Sequence, residues 1–426
     1  MLSKFITIEQ ALKKKTGEVS VRGWVYRERK HRDKVFIVLR DSTEIIQAVI
    51  SDKSKAWKEA NRITMESSVT LKGKLKQDKR APTGYEIAVS ELEIVGLAEP
   101  FPIGRDLSEE FLLDVRHLAL RSRKLTASLK IRSTVLGVLH NYLRKQGFIE
   151  AEAPSFNEAT SEGGSEVFEL DYYGKKAFLT QSWQFYAENF IPALEKVYAM
   201  APSFRAERSK TRRHLTEFWH CEVEKAWCNM DEMIKLGEEC IIESVKAVLK
   251  SNKKELKILG VEDHLKKIKA PFPRITYEQA IKTLNKNGFR IKYGQDFGAR
   301  EEKGIAKLHN NFVVVTNYPL EILKFYHGED LKNPGTGTNF NFFAPDVGEV
   351  LDGSEREIDI EKIKKRLRKA KIDLGTSDWY LDSRRYGNVP HSGFGLGTER
   401  LVQWICKLDS IRDAIPFPRT PTRIHP

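Results

Sequence analysis

The sequence predicts a two-part α+β protein, a small β-barrel followed by a larger unit of strands and helices. Three observations carry this. Short β-branched runs follow one another through the first hundred or so residues, with turn residues between them. Pro100, Pro102 and Gly104 then interrupt the pattern. Beyond them, helical periodicity and strand alternation interleave to the end of the 426 residues, a length that supports two or three separate cores.

The first part divides as follows. Val19-Ser20-Val21-Arg22-Gly23-Trp24-Val25 alternates apolar and polar residues. Val35 to Leu39 and Ile45 to Ile50 follow, with Arg40-Asp41-Ser42-Thr43 as the turn between them. Ser68 to Gly73 and Glu86 to Val89 complete the series, and a helix over about residues 52–62 falls between the third and fourth strands. Five strands with a helix in that place have the order of an OB-fold barrel. The barrel is assigned to residues 1–98 and the linker to 99–112. Arg27, Arg29, Lys30, His31, Arg32 and Lys34 crowd in front of Phe36. Cations beside an aromatic ring on an OB strand suit single-stranded nucleic acid, with bases stacking on the ring and phosphates on the cations. Val35 and Ile37 alternate with Phe36, which leaves either face of that strand as the outer one.

Residues 113–426 read as one large unit. From Thr126 to Gln146, Leu129, Ile131, Val135, Leu136, Leu139 and Leu143 recur at helical spacing. Gly147 stops this helix, the strand Phe148 to Ala151 follows, and Pro154 ends it. Residues 231–310 combine helical patterns with Lys250, Lys253, Lys254, Lys257, Lys266, Lys267 and Lys269. They are expected to form a helical surface insertion with a mostly solvated face.

Bulk properties narrow the function. The net charge is 72 − 59 = +13, which points to an anionic partner, nucleic acid or nucleotide first. Cys221, Cys228, Cys240 and Cys406 show neither a disulfide framework nor zinc-ligand spacing, and are expected as small buried residues in a reducing compartment. The start of the chain has no apolar stretch of signal-peptide kind, and no run approaches a membrane span. A cytoplasmic protein without a membrane partner is expected.

The segment from Phe204 to His220 carries the chemistry. Two apolar runs flank a basic turn, and together they hold Arg205, Glu207, Arg213, His214, Leu215 and Phe218. Cations, a carboxylate and a flat aromatic in this pattern suit a nucleoside triphosphate such as ATP attacked at its α-phosphate, where positioning and charge compensation dominate. Arg205 suits the α-phosphate because a guanidinium binds two oxygens at once. Phe218 offers a face to adenine. Glu207 can accept the adenine amino group or hold a metal, and Arg213 and His214 can reach the outer phosphates. Far downstream, Gly393-Phe394-Gly395-Leu396-Gly397-Thr398-Glu399-Arg400-Leu401 is a glycine-rich strand entering a helix. Glycines such as Gly397 permit close backbone approach, and Arg400 can cover the other side of adenine and the γ-phosphate.

Together the two segments resemble motifs 2 and 3 of the class II aminoacyl-tRNA synthetases, subclass b. The helix, strand and Pro154 resemble the dimer-forming motif 1. The wording R-H-L-T-E-F-W-H-C-E, with Phe417-Pro418-Arg419-Thr420-Pro421, is most similar to the archaeal-type, asparagine-specific branch. The resemblance spans essentially the whole chain. It implies an anticodon-binding barrel before an antiparallel-sheet catalytic domain flanked by helices, ATP and Mg2+ as cofactors, a homodimer, and tRNA and asparagine as substrates. It further implies that Ser161-Glu162-Gly163-Gly164 closes over the amino acid, with Glu162 a ligand. Ser182, Gln184 and Glu222 would hold the α-amino group, Glu349 would bind the metal, and Ser354 and Arg356 would face the substrate side chain. Arg205, Glu207 and Arg400 would be catalytic, with Arg213, His214, Leu215, Phe218, Glu349 and Gly397 completing the ATP site. Phe36 would stack an anticodon base, with Arg29 and Gln47 beside it. Aspartate-specific relatives place a lysine where Ala187 stands, which favours the amide over the carboxylate. Three positions depart from the family pattern: Asn341 replaces an acidic metal ligand, and Asp352 and Glu355 add negative charge beside Ser354 and Arg356. An aspartate-activating enzyme, or a weakly catalytic RNA- or nucleotide-binding relative, is the alternative.

Overall fold

Alternation closes the first unit into a barrel. In the computed structural model, residues 5–104, 107–158, 166–208, 213–371 and 378–426 are described, and the chain separates into Met1–Leu112 and Leu113–Pro426. In the first unit, helix α1 (Ile8–Lys14) starts on a capping box between Thr7 and Gln10. Strands β1 (Gly17–Lys30), β2 (Lys34–Arg40), β3 (Ile45–Ser51), β4 (Ser68–Gln77) and β5 (Tyr85–Gly96) form a closed barrel in the order β1-β2-β3-β5-β4. Helix α2 (Trp57–Arg62) lies between β3 and β4, as the sequence predicts. Val35, Ile37 and Leu39 point into the core with Val21, Ile46 and Ile87. Phe36 therefore takes the outer face, where it is partly buried.

The boundary falls within the short helix α3 (Glu109–Asp114); in the second unit, α4 (Arg116–Ala119) leads to α5 (Arg123–Lys145), capped by the Ser122 side chain. Strands β6 (Ile149–Glu150), β7 (Phe156–Asn157), β8 (Glu169–Tyr172) and β9 (Lys175–Leu179) precede α6 (Gln184–Leu194). The hairpin β10 (Lys196–Phe204) and β11 (Glu217–Ala226) is followed by α7 (Met230–Ser251), α8 (Lys253–Leu259) and α9 (Glu262–Leu265). Then come β12 (Arg274–Thr276), α10 (Tyr277–Lys286), α11 (Ala299–His309), β13 (Val313–Thr316), β14 (Asn339–Ala344) and β15 (Gly348–Glu355). The chain closes with α12 (Ile360–Lys369), α13 (Asp378–Arg385), β16 (His391–Gly397) and α14 (Thr398–Cys406). Eight strands form one sheet in the order β12-β13-β14-β15-β16-β11-β10-β6. Its pairings are antiparallel except at its two ends, β12 with β13 and β10 with β6. One face is apolar: Val223, Phe340, Phe342, Phe394 and Leu396 pack against Ile131 and Leu139 of α5, Ile241 and Val245 of α7, and Leu401 and Ile405 of α14. The residues alternating with them on the strands make the other face, which carries the site.

Residues 231–310 are not the surface insertion that the sequence suggests. Met233, Ile241, Val245 and Val248 of α7 belong to the main core. Tyr277, Ile281 and Ile305 form a second core with Val313, Val315 and Phe343. The lysines are real surface residues, exposed at Lys250, Lys253, Lys257, Lys266, Lys267 and Lys269, but they occupy the outer sides of amphipathic helices whose inner sides are buried. All four cysteines are free and buried, as expected. Among the described residues, no helix is long and apolar enough to cross a membrane.

Candidate active site

The β10–β11 hairpin sets the frame. Ser203 pairs opposite Phe218 and Phe204 opposite Glu217, so the chain leaves β10 at Arg205 beside the Phe218 ring. The Arg205 backbone N–H donates to Thr216 O at 3.0 Å, and its guanidinium lies 5.5 Å from the centre of the Phe218 ring. The cation and the aromatic face are thereby presented together. Leu215 packs with Ile411 and Ile415 beneath Phe218. The C-terminal segment braces the turn, since Thr216 N–H donates to Arg419 O at 2.9 Å. His214 approaches Glu207 at 3.6 Å. Burial, with Arg400, Arg213 and Arg205 nearby, pushes the His214 imidazole down despite Glu207.

A charged cluster sits across the cavity from the hairpin. Arg400, at the start of α14, donates to Glu349 Oε1 at 2.9 Å and to Glu349 O at 3.0 Å. Asn341 donates its amide N–H to Glu349 Oε2 at 2.9 Å. Burial pushes the Glu349 carboxyl up, but Arg400, Asn341 and Arg205 outweigh it and hold it below the usual range. Arg213 pairs with Glu302 of α11, and Glu302 also accepts the Glu349 backbone N–H at 3.0 Å. Glu302 and Asp296, both from the stretch expected to be solvated, are thus part of the site or its support.

A second group of buried charges is built on the inner face of the sheet. Glu222 accepts from Ser182 Oγ at 2.6 Å and from the Trp183 backbone N–H at 3.0 Å. Burial raises the Glu222 carboxyl, while His220, Ser182 and Trp183 N–H bring it below its ordinary value. An anion at this position can bind a cationic group. Two residues along β11, Glu224 is 1% exposed. It accepts from Arg356 Nε at 3.1 Å and Nη2 at 2.9 Å, a bidentate pair. Ser354 Oγ accepts from Arg356 Nη1 at 3.0 Å. Gly393 makes room for this pair, because a Cβ there would stand 2.0 Å from Glu224 Oε2.

These groups line one cavity of about 300 Å³. Arg205, Glu207, Arg213, His214, Leu215, Phe218, Glu349, Gly397 and Arg400 line it, as do Ser182, Gln184, Glu222 and Arg356. Ser354 does not; it supports Arg356 from below. Glu162 and its loop lie outside the described residues. Asn341 and Asp352, directly opposite each other in the β14–β15 ladder, both line the cavity. Glu355 turns away and accepts the Met230 N–H at the start of α7 at 2.7 Å, so it adds no charge to the site. Ala187 is also off the cavity wall. It sits fully buried between Trp183 and Ile191 at four-residue spacing, against Val197 and Ala226, and a lysine there would enter an apolar cluster.

Sequence reasoning passed over Glu224, which lines the cavity. A signal was present: strand alternation places it on the same face as Phe218, His220 and Glu222. In the barrel, Arg29 pairs directly opposite Phe36. Gln47 pairs with Val38, one step along the same outer face, and donates to Glu86 at 2.8 Å. The structure therefore brings the three expected nucleic-acid contacts to one face.

A magnesium ion suits this donor set only with help from phosphates. Magnesium takes oxygen ligands, commonly one or two carboxylates plus substrate phosphates and water. Among the described residues, no group of three or more acidic, histidine or cysteine side chains stands ready to hold a metal. Glu349 and the Asn341 carbonyl offer a minimal pair. The Tyr318 hydroxyl, buried at the same wall, has no hydrogen-bond partner among the described residues and marks a place for a further polar ligand.

The chain is similar to known proteins over nearly its whole length. Residues 108–421 match the family of tRNA synthetases class II (D, K and N), and residues 19–95 match the OB-fold nucleic acid binding domain. The asparagine–tRNA ligase of Thermoplasma acidophilum is 45% identical over 415 residues, covering 96% of this chain and 97% of the relative. The crystal structure of asparaginyl-tRNA synthetase from Pyrococcus horikoshii complexed with asparaginyl-adenylate aligns with a TM-score of 0.94 at 40% identity, covering 100% of both chains. The aspartyl-tRNA synthetase of Entamoeba histolytica aligns with a TM-score of 0.87 at 28% identity, covering 99% of this chain and 93% of that one. Fold alone therefore does not separate the two amino acids; the site must.

Proposed function

This chain belongs to the class II tRNA synthetases (D, K and N), and we propose from that premise how its cavity performs the reaction. The enzyme is an asparagine–tRNA ligase. It uses ATP to activate asparagine as asparaginyl-adenylate and passes the acyl group to the 3′ end of tRNA, here the asparagine-accepting tRNA, in the cytoplasm.

The observation that carries the amino-acid choice is the Glu224–Arg356 pair. A side-chain amide needs one donor and one acceptor. Arg356 donates to its carbonyl oxygen and Glu224 accepts from its N–H. A substrate carboxylate would meet Arg356 already neutralised, with Glu224 repelling it, and would be buried without compensation. A site that hydrogen-bonds both halves of a group rejects an analogue that leaves one partner unpaired.

The remaining roles follow from position. Glu222, with Ser182 and Gln184, holds the α-ammonium. The carboxylate of asparagine attacks the α-phosphorus, the P–O bond to the β-phosphate breaks, and pyrophosphate leaves. Arg205 compensates the charge that builds on the α-phosphate. Phe218 and Arg400 sandwich adenine, Glu207 accepts its amino group, and Arg213 and His214 take the outer phosphates, with Leu215 and Gly397 shaping the wall. Glu349, with Asn341, would hold Mg2+, which would neutralise phosphate charge. In the second step a terminal ribose hydroxyl attacks the carbonyl carbon, AMP leaves, and an adenylate phosphate oxygen takes the proton. Arg29, Phe36 and Gln47 receive the anticodon. Two copies pair beside α5, where Ile149, Phe156 and Tyr172 are exposed. The test is a charging assay with labelled asparagine, ATP, Mg2+ and tRNA transcripts. Asparaginyl-tRNA forms only on the transcript with the asparagine anticodon; charging with aspartate alone would refute the assignment.

A further inference from the structure

Behind the amino-acid end lies a second layer of buried charge that the reaction does not use. Glu188, on α6, is 1% exposed and does not line the cavity. Its Oε2 accepts from Tyr380 Oη at 2.9 Å and from Arg384, both on α13. His391 Nε2 stands 3.2 Å from the same oxygen. The other oxygen accepts from Gln184 Nε2 at 2.8 Å and stands 4.0 Å from Arg356 Nε. Glu188 thus touches two residues of the cavity wall, Gln184 and Arg356, from the side away from substrate. Arg356 lies between two carboxylates, Glu224 and Glu188. Burial raises the Glu188 carboxyl, but Arg384, His391 and Arg356 outweigh it and hold it well below its usual range.

Burying this many charged groups is costly unless each is paired. A neutral glutamine at 188 would fill the same space and still accept from one donor. What glutamate adds is a negative charge about one ion-pair distance from the guanidinium that faces the substrate side chain. That charge has opposite consequences for the two candidate substrates. It lowers the field of Arg356, which a carboxylate needs and an amide does not.

We propose that Glu188 is a specificity-determining positioning residue, a buried anion behind Arg356 that biases the site against aspartate while Arg384 holds it in place. The proposal rests on the asparagine reading of the Glu224–Arg356 pair and extends it to a residue that never contacts the amino acid. Because Gln184 also leans on Glu188, weakening the network affects the binding of both amino acids through their shared α-ammonium. The charge effect appears only in the ratio between them.

The test uses the full-length enzyme and amino-acid-dependent pyrophosphate exchange. In Glu188→Gln, the ratio of kcat/KM for aspartate to that for asparagine rises at least about tenfold, whatever common loss accompanies it. In the double variant Glu188→Gln with Arg384→Gln, a cation is removed with the anion and the ratio returns toward wild type. Parallel loss for both amino acids in Glu188→Gln, with an unchanged ratio, would show a purely structural role and overturn the proposal. If Glu188→Gln does not fold, Arg384→Gln alone decides. It leaves the anion uncompensated, so the ratio falls below wild type; an unchanged ratio overturns the proposal. A wild-type enzyme without asparagine-dependent exchange is a different failure, that of the asparagine reading itself.

Discussion

Replacing Glu224 by glutamine tests the site at its most consequential contact. The substitution preserves shape but removes the charge that holds Arg356 through bonds of 3.1 and 2.9 Å. It also turns an acceptor into a group with N–H donors, so the substrate amide meets a donor where it needs an acceptor. At about 4 Å and an effective dielectric constant near 20, a unit charge pair is worth about 4 kcal/mol, and breaking a buried pair costs about 3–5 kcal/mol. A loss of about 3–4 kcal/mol in transition-state stabilisation corresponds to roughly 10²- to 10³-fold. The kcat/KM for asparagine in pyrophosphate exchange therefore falls by roughly that factor. Aspartate behaves oppositely, because its carboxylate restores a negative partner for Arg356, and its kcat/KM rises about tenfold, or 1.4 kcal/mol. The KM for ATP stays near wild type, since Glu224 lies at the other end of the cavity from the Phe218 face. Equal losses for both amino acids would mean that Glu224 only supports the fold, and the account of specificity would fail.

Three further outcomes follow from other parts of the structure. Arg205→Ala reduces adenylate formation by roughly 10²- to 10³-fold, the usual effect of losing one preorganised charge contact, while circular dichroism and tRNA binding stay close to wild type; near-normal exchange would remove Arg205 from the α-phosphate. Phe36→Ala weakens tRNA charging by about 1–3 kcal/mol of lost stacking and leaves tRNA-free activation unchanged, whereas partial unfolding would mean that the ring supports the barrel. The third concerns His327, which burial, with Arg356 nearby, pushes down from 6.5 to about 3. The folded protein then binds fewer protons at this site than the unfolded chain. Stability is full above about pH 6.5 and falls by roughly 1.4 kcal/mol per unit as pH drops toward 3. His327→Met flattens the decline of Tm between those limits; identical slopes would contradict the assignment.

Some of this was legible in the sequence and some was not, for physical reasons. The barrel was readable because Val19, Val21 and Val25 alternate with Ser20, Arg22 and Trp24, whereas Val35 to Leu39 is apolar throughout and left the outer face of that strand open. Much of the cavity lining was readable because Arg205, Phe218 and Arg400 lie on short segments whose order the family fixes. Residues 231–310 misled because a lysine-rich outer face dominates the composition of helices whose inner faces carry Met233, Ile241 and Val245. Asp296 and Glu302 were hidden for the same reason. Glu224 was accessible through strand alternation alone. The Glu188 network was not, since its partners Arg384 and His391 lie on α13 and β16, 196 and 203 residues along the chain. No local pattern announces a contact at that separation.

The most direct measurement of the central claim is pyrophosphate exchange by the wild-type enzyme with asparagine and aspartate side by side, at one ATP and Mg2+ concentration. The Glu224–Arg356 pair predicts strong asparagine-dependent exchange, with a kcat/KM for aspartate lower by at least about 10³-fold, the discrimination expected when a buried polar partner is left unpaired or repelled. Equal exchange with both amino acids, or preference for aspartate, would contradict it.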